Sequence, residues 1–210
     1  MSNDTHLPTL TAIEARILGS LIEKEATTPE QYPMTENAIV VACNQKTSRE
    51  PVMELSPGEV GHALRRLEER KLVRSQHGAR AQRYEHRFSE GFSVTRQQQA
   101  VLAVLLLRGA QTVNELLTRT ERLAKFADAD DLRHTLERLA QREPALLLCI
   151  GRSAGQREDR YMHLLCGPVD VEALRQAAPT GSASAGSLAD RVDQLEQRVA
   201  ALEAALAQRG

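Results

Sequence analysis

The chain has 210 residues, of which 41% are hydrophobic and 26% are charged, and its formal net charge is -1 at pH 7. This length can hold two modest domains with their own cores, and the near-neutral charge excludes a protein that holds nucleic acid by bulk attraction. The three cysteines have no paired spacing, which indicates neither a disulfide framework nor a zinc site, so we expect Cys43, Cys149 and Cys166 to be buried hydrophobic residues.

The sequence carries no signal for a membrane. Its first ten residues are polar and lack an apolar signal segment, and the longest apolar run, residues 101–107, is far too short to span a bilayer. We therefore predict a cytoplasmic protein that has no membrane partner.

An internal repeat is the most informative feature of the chain. Residues 60–67 (VGHALRRL) recur as residues 132–139 (LRHTLERL), and residues 11–24 align position by position with residues 95–108. Each copy is followed by two strand-like runs, the second of which contains Arg-Tyr-x-His. Three helices followed by a hairpin are the order of a winged helix, which is a helix-turn-helix with an added β-hairpin.

The first predicted domain, residues 1–92, contains clear signals for the ends of its helices. Thr11 and Glu14 form a capping box, and Ser56 followed by Pro57 and Glu59 opens another helix. The polar run between the second and third helices is predicted to be a loop. Helices are expected over residues 11–25, 35–43 and 57–71, and strands over residues 72–76 and 82–87.

The third helix of this domain has one apolar stripe, which leaves His62, Arg65 and Arg66 pointing away from the core. In a winged helix this face meets the major groove, where an arginine donates two parallel hydrogen bonds to guanine. Basic residues continue into the hairpin, and two more in the preceding loop could grip phosphate beside a helix N-terminus. The candidate DNA-binding residues are Lys46, Arg49, His62, Arg65, Arg66, Arg74, Arg80 and Arg83.

Structural alternatives remain open for these residues. The basic helix and hairpin could form only a solvated surface, as most runs of charge do. In the loop, Asn44 and Gln45 could bond exposed helix ends, and Glu50 could pair with Arg49.

The second predicted domain, residues 93–167, repeats the helix signals but not the charge. Thr95, Thr112 with Glu115, and Asp128 with Asp131 cap its three helices. The outward positions of its third helix have lost their basic character, so we expect repulsion from phosphate to weaken or prevent insertion into a groove. These positions are Asp130, His134, Glu137, Arg138 and Gln141. Arg152 and Arg157 lie at a hairpin tip that could enter a minor groove or be only polar.

The C-terminal residues predict a tether and a coiled coil. Residues 168–187 are rich in Ala, Gly, Ser and Pro and are expected to form a flexible linker. Residues 188–210 carry a heptad seam, with Arg at g and Glu at e positions in the pattern that favours a parallel homodimer. A solitary amphipathic tail is the alternative. The seam, and the candidate dimerisation surface, consists of Leu188, Val192, Leu195, Val199, Leu202 and Leu206.

Residues 14–54, EARILGSLIEKEATTPEQYPMTENAIVVACNQKTSREPVME, resemble the YceH family, a group of bacterial proteins of unassigned function. RGAQT at residues 108–112, RYMHL at residues 160–164 and the heptad tail are similar to the family pattern as well. The resemblance implies two tandem winged-helix domains in a cytoplasmic bacterial protein. It implies no activity, substrate or catalytic residue.

No motif predicts an enzyme, a cofactor or a metal site, because the sequence lacks a phosphate loop, GxSxG, HExxH and clustered Cys and His. The histidines recur in pairs, His62 with His134 and His86 with His163, which favours structural roles. We therefore expect an α+β protein, mainly α with small β-hairpins, made of two winged-helix domains and a coiled-coil helix. Two functions fit it: a homodimeric protein that binds specific sites in double-stranded DNA, or a protein-binding adaptor built from tandem winged helices.

Overall fold

The same succession of helices and strands occurs twice along the chain. The computed structural model describes residues 9–77, 81–152 and 158–176. In the first half, residues 9–92, the elements are α1 (Ala12–Thr27), a 3-10 helix (Pro29–Gln31), β1 (Met34–Thr35), α2 (Glu36–Cys43), α3 (Pro57–Glu69), β2 (Val73–His77), β3 (Gln82–His86) and α4 (Phe88–Phe92). In the second half, residues 93–167, they are α5 (Arg96–Arg108), β4 (Gln111–Thr112), α6 (Val113–Thr120), α7 (Ala129–Ala140), β5 (Leu147–Gly151) and β6 (Arg160–His163).

Each half contains a small antiparallel sheet with the same strand order. The orders are β1-β3-β2 and β4-β6-β5, so in both halves the last strand lies between the other two. The register agrees as well, because Met34 lies opposite Tyr84 and Gln111 lies opposite Tyr161. The described chain is therefore an α+β structure, and the internal sequence repeat corresponds to a repeat of strand order and register.

The predicted helix starts are confirmed by the hydrogen bonds of the caps. Thr11, Ser56 and Thr112 each accept a hydrogen bond from the backbone of a glutamate three residues on, whose carboxylate in turn accepts from the backbone of the cap. The sequence patterns missed α4 and the strands β1 and β4, which are too short to show a period. Phe88 and Phe92 anchor α4 in the core, with ring centroids 4.6 Å apart.

Equivalent helices of the two halves pack against each other. A Cβ atom on Gly19 of α1 would lie 2.8 Å from Cγ of Leu107 on α5, so glycine permits the close approach of these helices. Leu10 N, in the segment before α1, also donates to Leu165 O (2.7 Å), in the segment after the hairpin of the second half.

The expectation that all three cysteines are buried is wrong for two of them. Cys43 is buried, whereas Cys149 and Cys166 are exposed. A register shift between Cys149 and Gly151 interrupts the alternation of β5, so Cys149 faces solvent while Ile150 is buried. Cys166 is exposed in the turn after β6.

The predicted linker differs from the structure at its start. Residues of this range form the helix α8 (Val171–Gln176), and Arg175 of α8 donates to Ile150 O at 2.7 Å. The compact unit that contains both halves ends at Gln176. The rest of the predicted linker and the whole heptad seam, Leu188 to Leu206, lie outside the described residues. Within the described ranges, no helix is long and apolar enough to cross a membrane.

Candidate nucleic-acid interface

Two arginines of the repeated Arg-Tyr-x-His motif make the same contact in the two halves. Arg83 Nη1 donates to Pro33 O at 2.7 Å, and Arg160 Nη2 donates to Ala110 O at 2.8 Å. In each case the accepting carbonyl belongs to the residue that precedes the short first strand. Arg83, a predicted DNA-binding residue, therefore makes a structural hydrogen bond that occurs in both halves.

A second pair of arginines follows the same rule. Arg70 Nη2 donates to Thr9 O at 3.1 Å, and Arg142 Nη1 donates to Ser93 O at 2.9 Å. Both bonds join the end of a third helix to the segment before the first helix of the same half. These arginines recur together with their hydrogen bonds, and not only as a residue type. We therefore assign them to the stability of the fold.

Arg49 requires a correction, because the structure buries it. Its side chain has 0% exposure and forms a forked pair with Glu23, with distances of 2.6 Å and 3.1 Å. Its Nε atom donates to Ala42 O at 3.0 Å. Arg49 therefore cannot reach a phosphate, and its acidic partner is Glu23 instead of the expected Glu50.

Arg16 is a buried charge that the sequence analysis missed. It is 1% exposed on α1, and it donates to Cys43 O at 3.0 Å and to Pro51 O at 2.6 Å. Burial lowers the pKa of Arg16, and the nearby charge of Arg49 lowers it further. Together with Asn44, which exchanges two 2.8 Å bonds with Leu55, it fixes the loop of residues 44–56 that leads into α3. An arginine within the apolar pattern of α1 was the available signal.

The remaining predicted residues that the structure describes lie at the surface. His62, Arg65 and Arg66 are exposed on α3, Arg74 is exposed on β2, and Lys46 is exposed in the loop. Arg80 lies outside the described residues. The strand β2 is joined to α3 because Ser75 N donates to Oε1 of Glu68 at 3.0 Å. This hydrogen bond fixes β2 against α3, so the exposed basic residues of the helix and of the hairpin keep a fixed arrangement.

The arginines of α3 are not equally free to bind a ligand. Arg66 Nε lies 3.6 Å from Oε1 of Glu14, which is 1% exposed, while 51% of the Arg66 side chain is exposed. Among the described residues, no hydrogen bond or salt bridge joins Arg65 to another side chain. Glu59 and Glu69 are also exposed on α3, so the charge of this face is mixed. Arg65 is therefore the basic residue of this helix with the most freedom to contact a partner.

Comparison with known proteins identifies the family. A family model described as "Protein of unknown function, DUF480" matches residues 10–156. The chain belongs to the DUF480 family. A UPF0502 protein of Stenotrophomonas maltophilia (strain R551-3) is 57% identical over 208 residues, which cover 96% of this chain and 94% of the relative. A UPF0502 protein of Xanthomonas campestris pv. campestris (strain B100) is 54% identical and covers 99% and 92%. The resemblance to the YceH family is confirmed, since YceH is the UPF0502 family.

In this DUF480 protein the two third helices present different charges at equivalent positions. Arg65 of α3 aligns with Glu137 of α7 in the repeat. On α7, Arg133 is paired with Asp130 at 2.5 Å, so part of its positive charge is neutralised within the helix. The predicted loss of basic character in the second half is therefore visible on an exposed helix face.

The paired histidines of the DUF480 chain differ in burial. His62 and His134 are exposed on their helices. His163 is 5% exposed, and burial lowers its pKa to about 4. His86 has a buried ring whose Nε2 lies 2.9 Å from Oε2 of Glu25. In the part of the chain that the structure describes, no group of three or more His, Cys, Asp or Glu side chains could hold a metal ion.

Proposed function

We propose that this DUF480 protein binds double-stranded DNA at specific sites as a homodimer. We take each half to be a winged-helix unit, in which a short strand precedes the second helix and a hairpin follows the third. The observation that carries the proposal is the exposed Arg65 on the outward face of α3, because the equivalent position of the second half is an acid.

The chemistry of DNA recognition suits this face. A guanidinium group can donate to O6 and N7 of guanine at once. An exposed arginine on a helix in the major groove can therefore distinguish a G·C base pair from the others. Arg74 on β2 and Lys46 in the loop before α3 are exposed and suited to phosphate oxygens. Phosphate contacts position the protein, whereas the contact of Arg65 specifies the sequence. Arg66 contributes less, because Glu14 shares its charge.

The homodimer is proposed from the heptad seam. A parallel coiled coil would join two chains and so present two copies of α3, which favours a DNA site with two-fold symmetry. We assign no catalytic role, cofactor or metal to the protein, and we place it in the cytoplasm.

Selection of bound duplexes from a random pool by the purified full-length protein tests the proposal. We expect enrichment of one sequence with two-fold symmetry, and affinity that falls steeply with salt. Arg65→Glu copies the acid of the second half and should abolish enrichment, while Arg138→Glu on α7 serves as a matched control that retains it. If the wild-type protein enriches no sequence at low salt, the protein does not bind DNA site-specifically.

A protein-binding adaptor is the second candidate, favoured by two exposed apolar side chains. Val41 on α2 is 60% exposed and Val52 in the following loop is 52% exposed, and exposed apolar residues of this kind can contact a protein partner. Capture of one stoichiometric partner that Val41→Ser with Val52→Ser releases, with no duplex binding at moderate salt, would favour the adaptor.

A further inference from the structure

A cleft of about 690 Å³ opens between α1 of the first half and α5 of the second half, beside the base of the first hairpin. Its apolar wall includes Ile22, Ala26, Val94, Ala100 and Leu123. The larger part of the lining is polar or charged and consists of Glu25, Tyr32, Glu85, His86, Arg87, Ser89, Glu90, Arg96 and Gln99. Arg87 is paired with Glu85 and Glu90 at 2.8 Å each. A cleft of this volume that combines an apolar wall with converging polar groups can hold a small organic molecule.

Glu25 is held in place as an ionised carboxylate. Phe88 N donates to Nδ1 of His86 at 3.3 Å, so the proton of the neutral ring lies on Nε2 and is donated to Oε2 of Glu25 at 2.9 Å. This hydrogen bond lowers the pKa of Glu25, and the charge of Arg96 adds to the effect. In the described ranges, no hydrogen bond reaches the other oxygen of Glu25, so Oε1 can accept one from a ligand.

Arg96 offers the opposite charge in the same cleft. Its Nε atom makes a long bond of 3.4 Å to Leu123 O, and no carboxylate of the described residues lies within salt-bridge distance of its guanidinium group. Both Nη atoms are therefore free to donate. Glu25 and Arg96 both line the cleft, and they form no salt bridge with each other, so a ligand in the cleft can contact both.

Two neutral donors accompany this pair of charges. The hydroxyl oxygen of Tyr32 accepts from His86 N at 2.7 Å, and burial raises the pKa of Tyr32, so the phenol keeps a proton that it can donate. Gln99 accepts from Ser89 Oγ through its Oε1 atom, which leaves its amide nitrogen to serve as a donor.

The repeat indicates that the fold does not require these charges. Glu25 aligns with Gly109, Arg96 aligns with Ala12, and Gln99 aligns with Ala15 in the other half. The arginines that hold the fold together, by contrast, recur with their contacts. Groups that line a cleft, occur once and leave donors and an acceptor unused are candidates for ligand binding.

We propose that this cleft binds an amino acid with an apolar side chain, whose carboxylate pairs with Arg96 and whose ammonium group pairs with Glu25. The two charges of an amino acid are adjacent, which suits opposite charges that line one cleft, and the apolar side chain would lie against Ile22, Val94 and Leu123. A simple carboxylate would leave Oε1 of Glu25 without a partner, and a simple amine would leave the Nη atoms of Arg96 without one. This inference does not depend on DNA binding.

Calorimetry and thermal unfolding of the full-length protein test the proposal with three matched compounds. The probes are L-leucine, 4-methylpentanoate, which lacks the ammonium group, and 3-methylbutylamine, which lacks the carboxylate. L-valine, L-isoleucine and L-methionine complete the series. We expect at least one of these amino acids to bind and to raise Tm, and we expect both single-charge analogues of leucine to bind at least about tenfold more weakly than leucine.

Variants assign the binding to the cleft. Glu25→Gln and Arg96→Gln should each weaken binding about tenfold or more, because each removes a charged hydrogen bond. Glu30→Gln and Arg138→Gln change exposed residues outside the cleft and should bind as the wild type does. Circular dichroism without ligand checks that Arg96→Gln still folds. The proposal is overturned if none of the four amino acids binds at about 10 mM, a concentration ten times the weakest dissociation constant of the usual scale. It is also overturned if an analogue binds as tightly as leucine, or if the cleft variants leave the affinity unchanged.

Discussion

The first and second halves of the chain make the same backbone contacts but present different side chains at equivalent surface positions. Arg83 and Arg160 donate to equivalent carbonyls, whereas Arg65 on α3 has become Glu137 on α7. A contact that occurs in both halves reflects what the fold needs. A charge that occurs in one half must be explained by a property of that half alone.

Exposure is needed as a second criterion, because some charges that occur once are structural. Arg16 and Arg49 have no equivalent arginine at matching contacts in the second half, yet both are buried and bond to backbone carbonyls. They stabilise the loop of residues 44–56, which is longer than its counterpart at residues 121–128. Only a basic residue that occurs once and is exposed, such as Arg65, remains a candidate for binding.

The largest expected effect concerns the loop that distinguishes the halves. Arg49→Met would leave Glu23 without its partner and Ala42 O without a donor, so we expect a loss of about 3 kcal/mol in the free energy of unfolding. Urea unfolding measures this loss. The double variant Arg49→Met with Glu23→Leu should recover part of it, and an unchanged single variant would show that the buried pair is not needed.

Acid should weaken the second half through His163. Its folded pKa of about 4 is below the ordinary value of 6.5, so the unfolded chain binds more protons as the pH falls from 6.5 towards 4. Stability is therefore lost on acidification, by about 2 kcal/mol between pH 7 and pH 5. Urea unfolding at both pH values measures the slope, and His163→Leu should reduce it. An equal slope in the variant would assign the pH dependence to other groups.

The recurring arginines should behave alike when they are removed. Arg83→Ala and Arg160→Ala each delete one hydrogen bond to an equivalent carbonyl, so each should cost about 1 kcal/mol of stability. Thermal unfolding compares the two variants. If Arg83→Ala loses much more duplex affinity than Arg160→Ala does, Arg83 contacts DNA in addition to Pro33 O.

The smallest expected effect belongs to Lys46. Lys46→Ala should weaken binding similarly for every duplex and lower the slope of log affinity against log salt by about 1, as expected for one phosphate contact. Thr47→Ala, at the next exposed position, is the matched control. If Lys46→Ala changes sequence preference but not the salt slope, Lys46 contacts a base instead of a phosphate.

Sequence reasoning predicted what depends on local or repeated patterns. The capping residues Thr11, Ser56 and Thr112 and the equivalence of the two Arg-Tyr-x-His strands could be foreseen. A cap acts over three residues, and a repeat shows which segments of the two halves correspond. The burial of Arg49 could not, because Glu23, its partner, lies on another element and only the tertiary fold brings the two together. For the same reason the sequence did not reveal the cleft between α1 and α5, whose charges come from both halves.

Fluorescence anisotropy with a selected duplex, applied to Arg65→Glu and to the reverse exchange Glu137→Arg, tests the central claim most directly. If only α3 reads DNA, Arg65→Glu should weaken binding about a hundredfold, because a base contact is replaced by repulsion from phosphate. Glu137→Arg should leave the affinity within about twofold of the wild type, since most surface charges contribute little. An Arg65→Glu variant that folds and binds the duplex as tightly as the wild type would contradict the assignment of α3 as the DNA-reading helix.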